Sequence, residues 1–179
     1  MPLPASVQRE HLHTRRYEFC GYRREDGLWD IEGHLTDVKT YSFPNDYRGE
    51  IEAGEPVHDM WVRLTLDDDF KVVDIDVATE AGPFRICPDI APAFKVMKGE
   101  RIQPGWHQRI KTLLGGVKGC IHLSEMLGAM GTVAFQTMYG RGQRKPDPAR
   151  RPPHLDSCHA LASDGELVKR YWPRFYSGK

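Results

Sequence analysis

The chain has 179 residues, enough for one domain with a substantial apolar core. Its 25 basic and 25 acidic residues balance, so charge favours neither nucleic acid nor an anionic membrane surface as a partner. Apolar runs are too short and too often interrupted by charge to cross a bilayer, and the first residues lack a signal-peptide core. We therefore expect a cytoplasmic protein. Its four widely spaced cysteines favour free thiols or metal thiolates over disulfides.

Two β-hairpins are predicted between residues 15 and 79. The first turns at the pair Asp26 and Gly27, and the second turns at the aspartate run 67–69. An irregular stretch, residues 43–56, is expected between them. In the strands beside these turns every second residue is apolar, which is the period of a sheet with one buried face. These residues are Trp29, Ile31, Leu35, Met60, Val62, Leu64, Val73, Ile75 and Val77.

A helical layer is predicted over residues 88–138, where the apolar period changes from two to between three and four. Pro88 suits the start of a first helix and Gly99 its end, and a second helix follows Pro104. The third helix, 121–138, has one apolar stripe that should cover a face of the sheet. The stripe consists of Leu123, Met126, Leu127, Met130, Val133 and Ala134. The predicted fold class is α+β, with an antiparallel sheet covered on one face by about three helices.

The last part of the chain is predicted to fold back on the same single domain, residues 1–179. Residues 141–153 are rich in arginine, lysine and proline, so we expect an extended connector there. Two short apolar segments flank Asp164 and Gly165, which indicates a C-terminal hairpin within residues 154–179.

Cys120 follows a glycine-rich turn and precedes the apolar helix, where backbone N–H groups favour a thiolate. Cys87 also stands just before a predicted helix, and His58 lies at the start of a strand, on its buried side. Each cysteine alone would suit a small buried hydrophobe. Two thiolates and one imidazole together suit zinc or iron. The predicted metal ligands are His58, Cys87 and Cys120, with a fourth position open for water or substrate.

His122 and Asp59 are predicted catalytic residues beside this ion. Side chains two residues apart in a helix point about 200° from each other. His122 can therefore share an ion with Cys120 only if residues 119–122 are not helical, which the preceding glycines permit. Asp59 follows His58 and faces the opposite side of the strand, so a solvated carboxylate is an equal alternative.

Arg24, Trp61 and Arg85 are predicted to bind substrate. Arginine binds carboxylates through two parallel hydrogen bonds, and an aromatic face packs against a ring. The alternative for these residues is an ordinary place in the core or on the surface. The chain has no G-x-G-x-x-G, P-loop or G-x-S-x-G motif, which argues against nucleotide binding by those routes and against a hydrolase nucleophile elbow.

Four motifs resemble a bacterial family catalogued as domain of unknown function 2889: RREDGLWDIEG at 23–33, HDM at 58–60, GCIHL at 119–123 and CHA at 158–160. That resemblance extends nearly end to end and implies no established activity. Residues 56–138 also resemble the iron-sulfur scaffold proteins of the NifU and IscU type. By that resemblance, His58 lies near their first cysteine and aspartate, while Cys87 and Cys120 fall on their second and third cysteines. The first cysteine is missing and no histidine directly precedes Cys120, which favours a single ion over a cluster.

Three functions are consistent with these residues. The first is a zinc- or iron-dependent enzyme, a lyase or hydrolase, acting on a small organic substrate that is aromatic or carboxylated. The second is an iron-sulfur or metal carrier that transfers its cargo to a partner protein. The third is a metal-free enzyme in which Cys120 is the nucleophile and His58 or His122 its base. Self-association into a homo-oligomer is left open.

Overall fold

Four long antiparallel strands form the main sheet of the computed structural model, which describes residues 3–141, 147 and 149–178. They are β1 (His13–Arg23), β2 (Trp29–Lys39), β5 (Pro56–Leu66) and β6 (Val72–Ala81), in the spatial order β1-β2-β5-β6. Burial alternates strictly along β2, which places Trp29, Ile31 and Leu35 on the covered face. The α+β class and the antiparallel pairing predicted within residues 57–79 are confirmed.

A small second sheet occupies the stretch that was expected to be irregular, so that prediction is wrong. It pairs β3 (Phe43–Asn45) with β4 (Gly49–Ile51). The Asn45 side chain accepts hydrogen bonds from the backbone N–H groups of Tyr47 and Arg48, at 3.1 and 2.9 Å. Gly49 then adopts a φ of 79°, which L side chains rarely reach. These local interactions reverse the chain within a few residues.

The helical layer lies on the face of the sheet where the apolar alternation points. It begins with a 3-10 helix (Cys87–Met97), continues with α1 (Trp106–Leu114) and a short 3-10 turn (Gly116–Lys118), and ends with α2 (Ile121–Met138). Pro88 lies in the first turn of this 3-10 helix, and Pro92 inside it has no N–H group to continue an α-helical hydrogen-bond ladder. Met126 and Met130 of α2 are fully buried, as the stripe predicted.

Trp106 joins α1 to α2. Its Nε1 donates a buried hydrogen bond of 2.8 Å to the carbonyl oxygen of Leu127. A Cβ at Gly131 would lie 2.9 Å from Trp106 Cδ1, closer than side-chain carbons approach. The glycine therefore lets the indole pack directly on the backbone of α2. Among the helices of the described residues, none is both long enough and apolar enough to span a membrane.

The chain divides into two compact units, residues 1–142 and 143–179. The second unit contains two 3-10 turns (His159–Leu161 and Pro173–Phe175) and α3 (Glu166–Tyr171). The predicted C-terminal hairpin is therefore wrong. Gly165 precedes a helix instead of closing a hairpin, because Glu166 in the first turn and basic residues in the last turn of α3 complement the helix dipole. Much of the predicted connector, residues 142–146 and 148, lies outside the described residues.

Candidate metal centre

Three strand ends and the start of α2 meet at one end of the first unit. Asp37 lies opposite Arg15 of β1 and opposite His58 of β5 in the sheet register. Because residues directly opposite each other point to the same face, these three side chains form one row beneath the helical layer. His122, the second residue of α2, is placed above that row. Ligand atoms of Asp37, His58 and His122 all lie within 4.8 Å of one another.

Asp37 is the most buried charged residue of this site, with 2% of its surface exposed. Its Oδ1 accepts hydrogen bonds from Arg15 Nε at 2.8 Å and pairs with His13 Nε2 at 2.8 Å. Its Oδ2 accepts from Arg15 Nη2 at 2.6 Å and pairs with His58 Nδ1 at 3.0 Å. These four hydrogen bonds, from three side chains, occupy all the lone-pair positions that a carboxylate offers. Asp37 is therefore held rigidly and holds the His58 ring in turn.

Burial by itself raises the pKa of Asp37, but the hydrogen bonds from Arg15 and His13 outweigh it and lower this pKa to about 2. Burial lowers the pKa of both His58 and His122, and the charge of Arg15 acts in the same direction on each. The two imidazoles are thus neutral near pH 7. A neutral imidazole is the form that binds a metal ion.

His122 contacts both His58 and Cys120. Its ring centroid lies 4.1 Å from that of His58, and its Nδ1 lies 3.9 Å from Cys120 Sγ. The helical separation expected for Cys120 and His122 does not apply, because Cys120 has an extended backbone (φ −111°, ψ 132°) and α2 begins only at Ile121. The 200° separation applies only to two residues within one helix. Cys120 precedes the first residue of α2, so its side chain is free of that constraint.

Cys87 is not among the described residues whose ligand atoms lie within 4.8 Å of one another. It begins the 3-10 helix after β6 and packs against Gly82, where an added Cβ would lie 3.2 Å from Cys87 Sγ. Cys120 is also outside that group of three, but its Sγ contacts His122. His58 and Cys120 thus each contact His122, whereas the contact shown for Cys87 is with Gly82.

Asp59 and the predicted substrate residues lie elsewhere. Asp59 accepts a 2.8 Å hydrogen bond from His34 Nε2, and the His34 ring stacks on Trp61 with centroids 3.7 Å apart. All three belong to the face of the sheet opposite His58, as the period of two requires. Arg24 lies at the turn between β1 and β2, at the far end of these strands from Asp37, and bonds to Asp26. Arg85 is exposed between β6 and the 3-10 helix.

Sequence reasoning missed Asp37, Arg15 and His13. The signal for Asp37 was present, since it continues the buried alternation of Trp29, Ile31 and Leu35 by one more step. A carboxylate at a buried position requires partners, and only register pairing shows that Arg15 and His58 supply them.

A family model described as a protein of unknown function, DUF2889, matches residues 13–136, and so includes the whole cluster. The chain belongs to this family. No curated protein and no solved structure matches it. The likeness to NifU and IscU is thus without support from these comparisons.

In the presence of a chelator, the DUF2889 chain should lose stability as the pH falls below 6.5. Because burial lowers the pKa of His58 and His122 in the folded state, the unfolded state binds protons first. The stability contributed by the two neutral histidines is complete above pH 6.5. It is lost as the pH falls through their lowered pKa values in the folded state. Urea unfolding in chelator between pH 7.5 and 5 measures this loss. The variant His122→Gln should lose less over that interval, and an equal loss in both proteins would contradict the assignment.

Proposed function

We propose that this protein is a zinc- or iron-dependent enzyme acting on a small organic substrate. The contact between Cys120 and His122 carries the proposal. Two ligands on one zinc ion, with Zn–S of about 2.3 Å and Zn–N of about 2.1 Å in tetrahedral geometry, lie about 3.6 Å apart. Cys120 Sγ and His122 Nδ1 are 3.9 Å apart, close to that spacing.

His58 is the third proposed ligand, through its Nε2. Its Nδ1 is engaged by Asp37, and no other described residue bonds to Nε2. A carboxylate that holds the far nitrogen of a histidine fixes ring orientation and raises its basicity towards a metal. Because all lone pairs of Asp37 are already used, Asp37 acts as this orienting residue and not as a ligand. Three protein ligands and one open position are the arrangement of catalytic zinc sites.

The substrate site we propose is a cavity of about 170 Å³ whose wall includes Arg48. It is lined by Tyr47, Arg48, Thr79, Glu80, Ala81, Gly82, Phe84 and Pro88. Burial is the main cause that lowers the pKa of His58, and the positive charge of Arg48 contributes to the same shift. A guanidinium with two aromatic side chains suits a small aromatic or carboxylated molecule. Polarising a carbonyl or activating water at the ion would then give lyase or hydrolase chemistry.

Metal analysis of the purified protein, prepared with and without oxygen, tests this proposal. We expect close to one equivalent of zinc or iron per chain, stable in air. A brown, oxygen-labile chromophore would instead support an iron-sulfur carrier. Metal content near zero after both preparations, with no uptake from added zinc or iron, would reject the metal site.

A metal-free cysteine enzyme is the second candidate, favoured by the same contact. Cys120 stands immediately before an 18-residue helix, and His122 Nδ1, a candidate base, lies 3.9 Å from its sulfur. Iodoacetamide labelling distinguishes the two functions. A free nucleophile should be alkylated equally fast with and without added zinc, whereas a zinc ligand should be protected by the ion.

A further inference from the structure

β1 is an open edge of the main sheet. All 11 of its residues are exposed or half-buried, it contains no proline, and its register with β2 has no bulge. Edge strands are usually short, bulged or covered, because an unpaired edge is a template for another strand. The opposite edge, β6, has register shifts, and Val72 at its start bonds to the backbone of Gly99 and Glu100. Within the described part of the chain, β1 is the edge without such protection.

The hydrogen bonds at both ends of the β1–β2 ladder show which backbone groups face outward. Thr40 N donates to Leu12 O, and Arg24 N donates to Leu28 O, at 3.2 and 2.9 Å. Bonded and non-bonded pairs alternate in an antiparallel ladder, so even-numbered residues of β1 bond to β2 and odd-numbered residues point their N–H and C=O groups away. The outward set in the interior of the strand is Arg15, Tyr17, Phe19 and Gly21.

We propose that this edge binds β1 of a second copy of the same chain, antiparallel and centred on Tyr17. That register places Arg16 opposite Glu18 of the second copy, and Glu18 opposite its Arg16, on the face away from α2. Neither side chain forms a hydrogen bond or ion pair with another described residue. Centring the pair one residue earlier would oppose two arginines, and one residue later two glutamates, which is unfavourable.

The same register also matches the face that carries α2. Tyr17 lies opposite Tyr17 of the second copy, and Arg15 lies opposite Phe19. Tyr17 and Phe19 already stack within one chain, with centroids 6.0 Å apart, and Tyr17 is 38% exposed. Aromatic pairs and arginine–aromatic pairs across strands stabilise sheets. The charged face therefore selects this register, and the aromatic side chains and the outward backbone groups are compatible with it.

Sedimentation velocity over a wide concentration range tests the proposal with the intact chain. The mass should rise from 20.5 kDa towards twice that value. Glu18→Arg places like charges opposite each other twice and should raise the dissociation constant about tenfold or more. The double variant Arg16→Glu/Glu18→Arg restores both pairs and should restore the dimer. Glu25→Arg, with the same charge change in the turn beyond the strand, is the matched control and should leave the dimer unchanged.

Cross-linking tests the register directly, even if a charge variant does not fold. Tyr17→Cys brings two thiols together at the centre of the interface, so mild oxidation should give a covalent dimer faster than in the wild-type chain. In Arg23→Cys the two thiols would be about 40 Å apart at about 3.3 Å per residue, and no added cross-linking is expected. A monomer at every concentration, equal weakening by Glu18→Arg and Glu25→Arg, or equal cross-linking of the two cysteine variants would each overturn the proposal.

Discussion

Metal binding should be lost in both His58→Ala and His122→Ala. Replacing a residue that only orients a ligand weakens metal affinity by about 10- to 100-fold, so removing a ligand should exceed about 100-fold. Calorimetric titration of the chelator-treated protein with zinc measures this change in affinity. Cys120→Ser should have a comparable effect, because its sulfur lies 3.9 Å from His122 Nδ1.

Cys87→Ser is the matched control for these variants. Cys87 packs against Gly82 and does not belong to the cluster, so its replacement should leave zinc affinity near the wild-type value. If Asp37 orients His58, Asp37→Asn should lower zinc affinity by about 10- to 100-fold, more than Cys87→Ser and less than the ligand variants. Full metal binding by either histidine variant, or loss of metal in Cys87→Ser, would refute the proposed ligand set.

Asp37→Ala should lower the free energy of unfolding of the metal-free protein by about 3 kcal/mol, at the lower end of the range for breaking a buried ion pair. The substitution removes four hydrogen bonds and leaves Arg15, His13 and His58 without their shared acceptor. The Arg15 side chain keeps 32% exposure, so water can hydrate part of its charge and the loss does not reach the upper end. Urea unfolding at pH 7 in chelator measures the difference.

Asp59→Ala is the control for this prediction. Asp59 also accepts a hydrogen bond from a histidine, but its side chain is 26% exposed on the opposite face of the sheet. A pair with this much exposure contributes about 1 kcal/mol or less. Equal destabilisation by the two variants would show that the burial of Asp37 and its four hydrogen bonds add no stability beyond that of an ordinary surface pair.

The main sheet and α2 could be predicted because their apolar periods extend over many residues. Alternation along β2, β5 and β6 requires strands with one buried face, and the α2 stripe requires a helix on that face. The same period correctly placed His58 on the buried side of its strand and Asp59 on the other. Short elements were missed: the β3–β4 hairpin depends on the Asn45 side chain, and α3 has one fully buried apolar residue, Val168.

The amino-acid sequence by itself determined the fold class, the face on which most strand residues lie, and the position of Cys120 at the start of a helix. These properties follow from local periods and from turn residues, which act within a few positions of one another. The predicted buried place of Val73 is wrong, because a register shift between β5 and β6 leaves this residue 41% exposed. Only the tertiary structure decided which polar side chains meet. Asp37 pairs with Arg15 and His58 because strand register joins residues more than 20 positions apart, and His122 reaches Cys120 because one extended residue precedes the helix. Register and helix start depend on how the whole sheet packs against α2, and no local pattern encodes them.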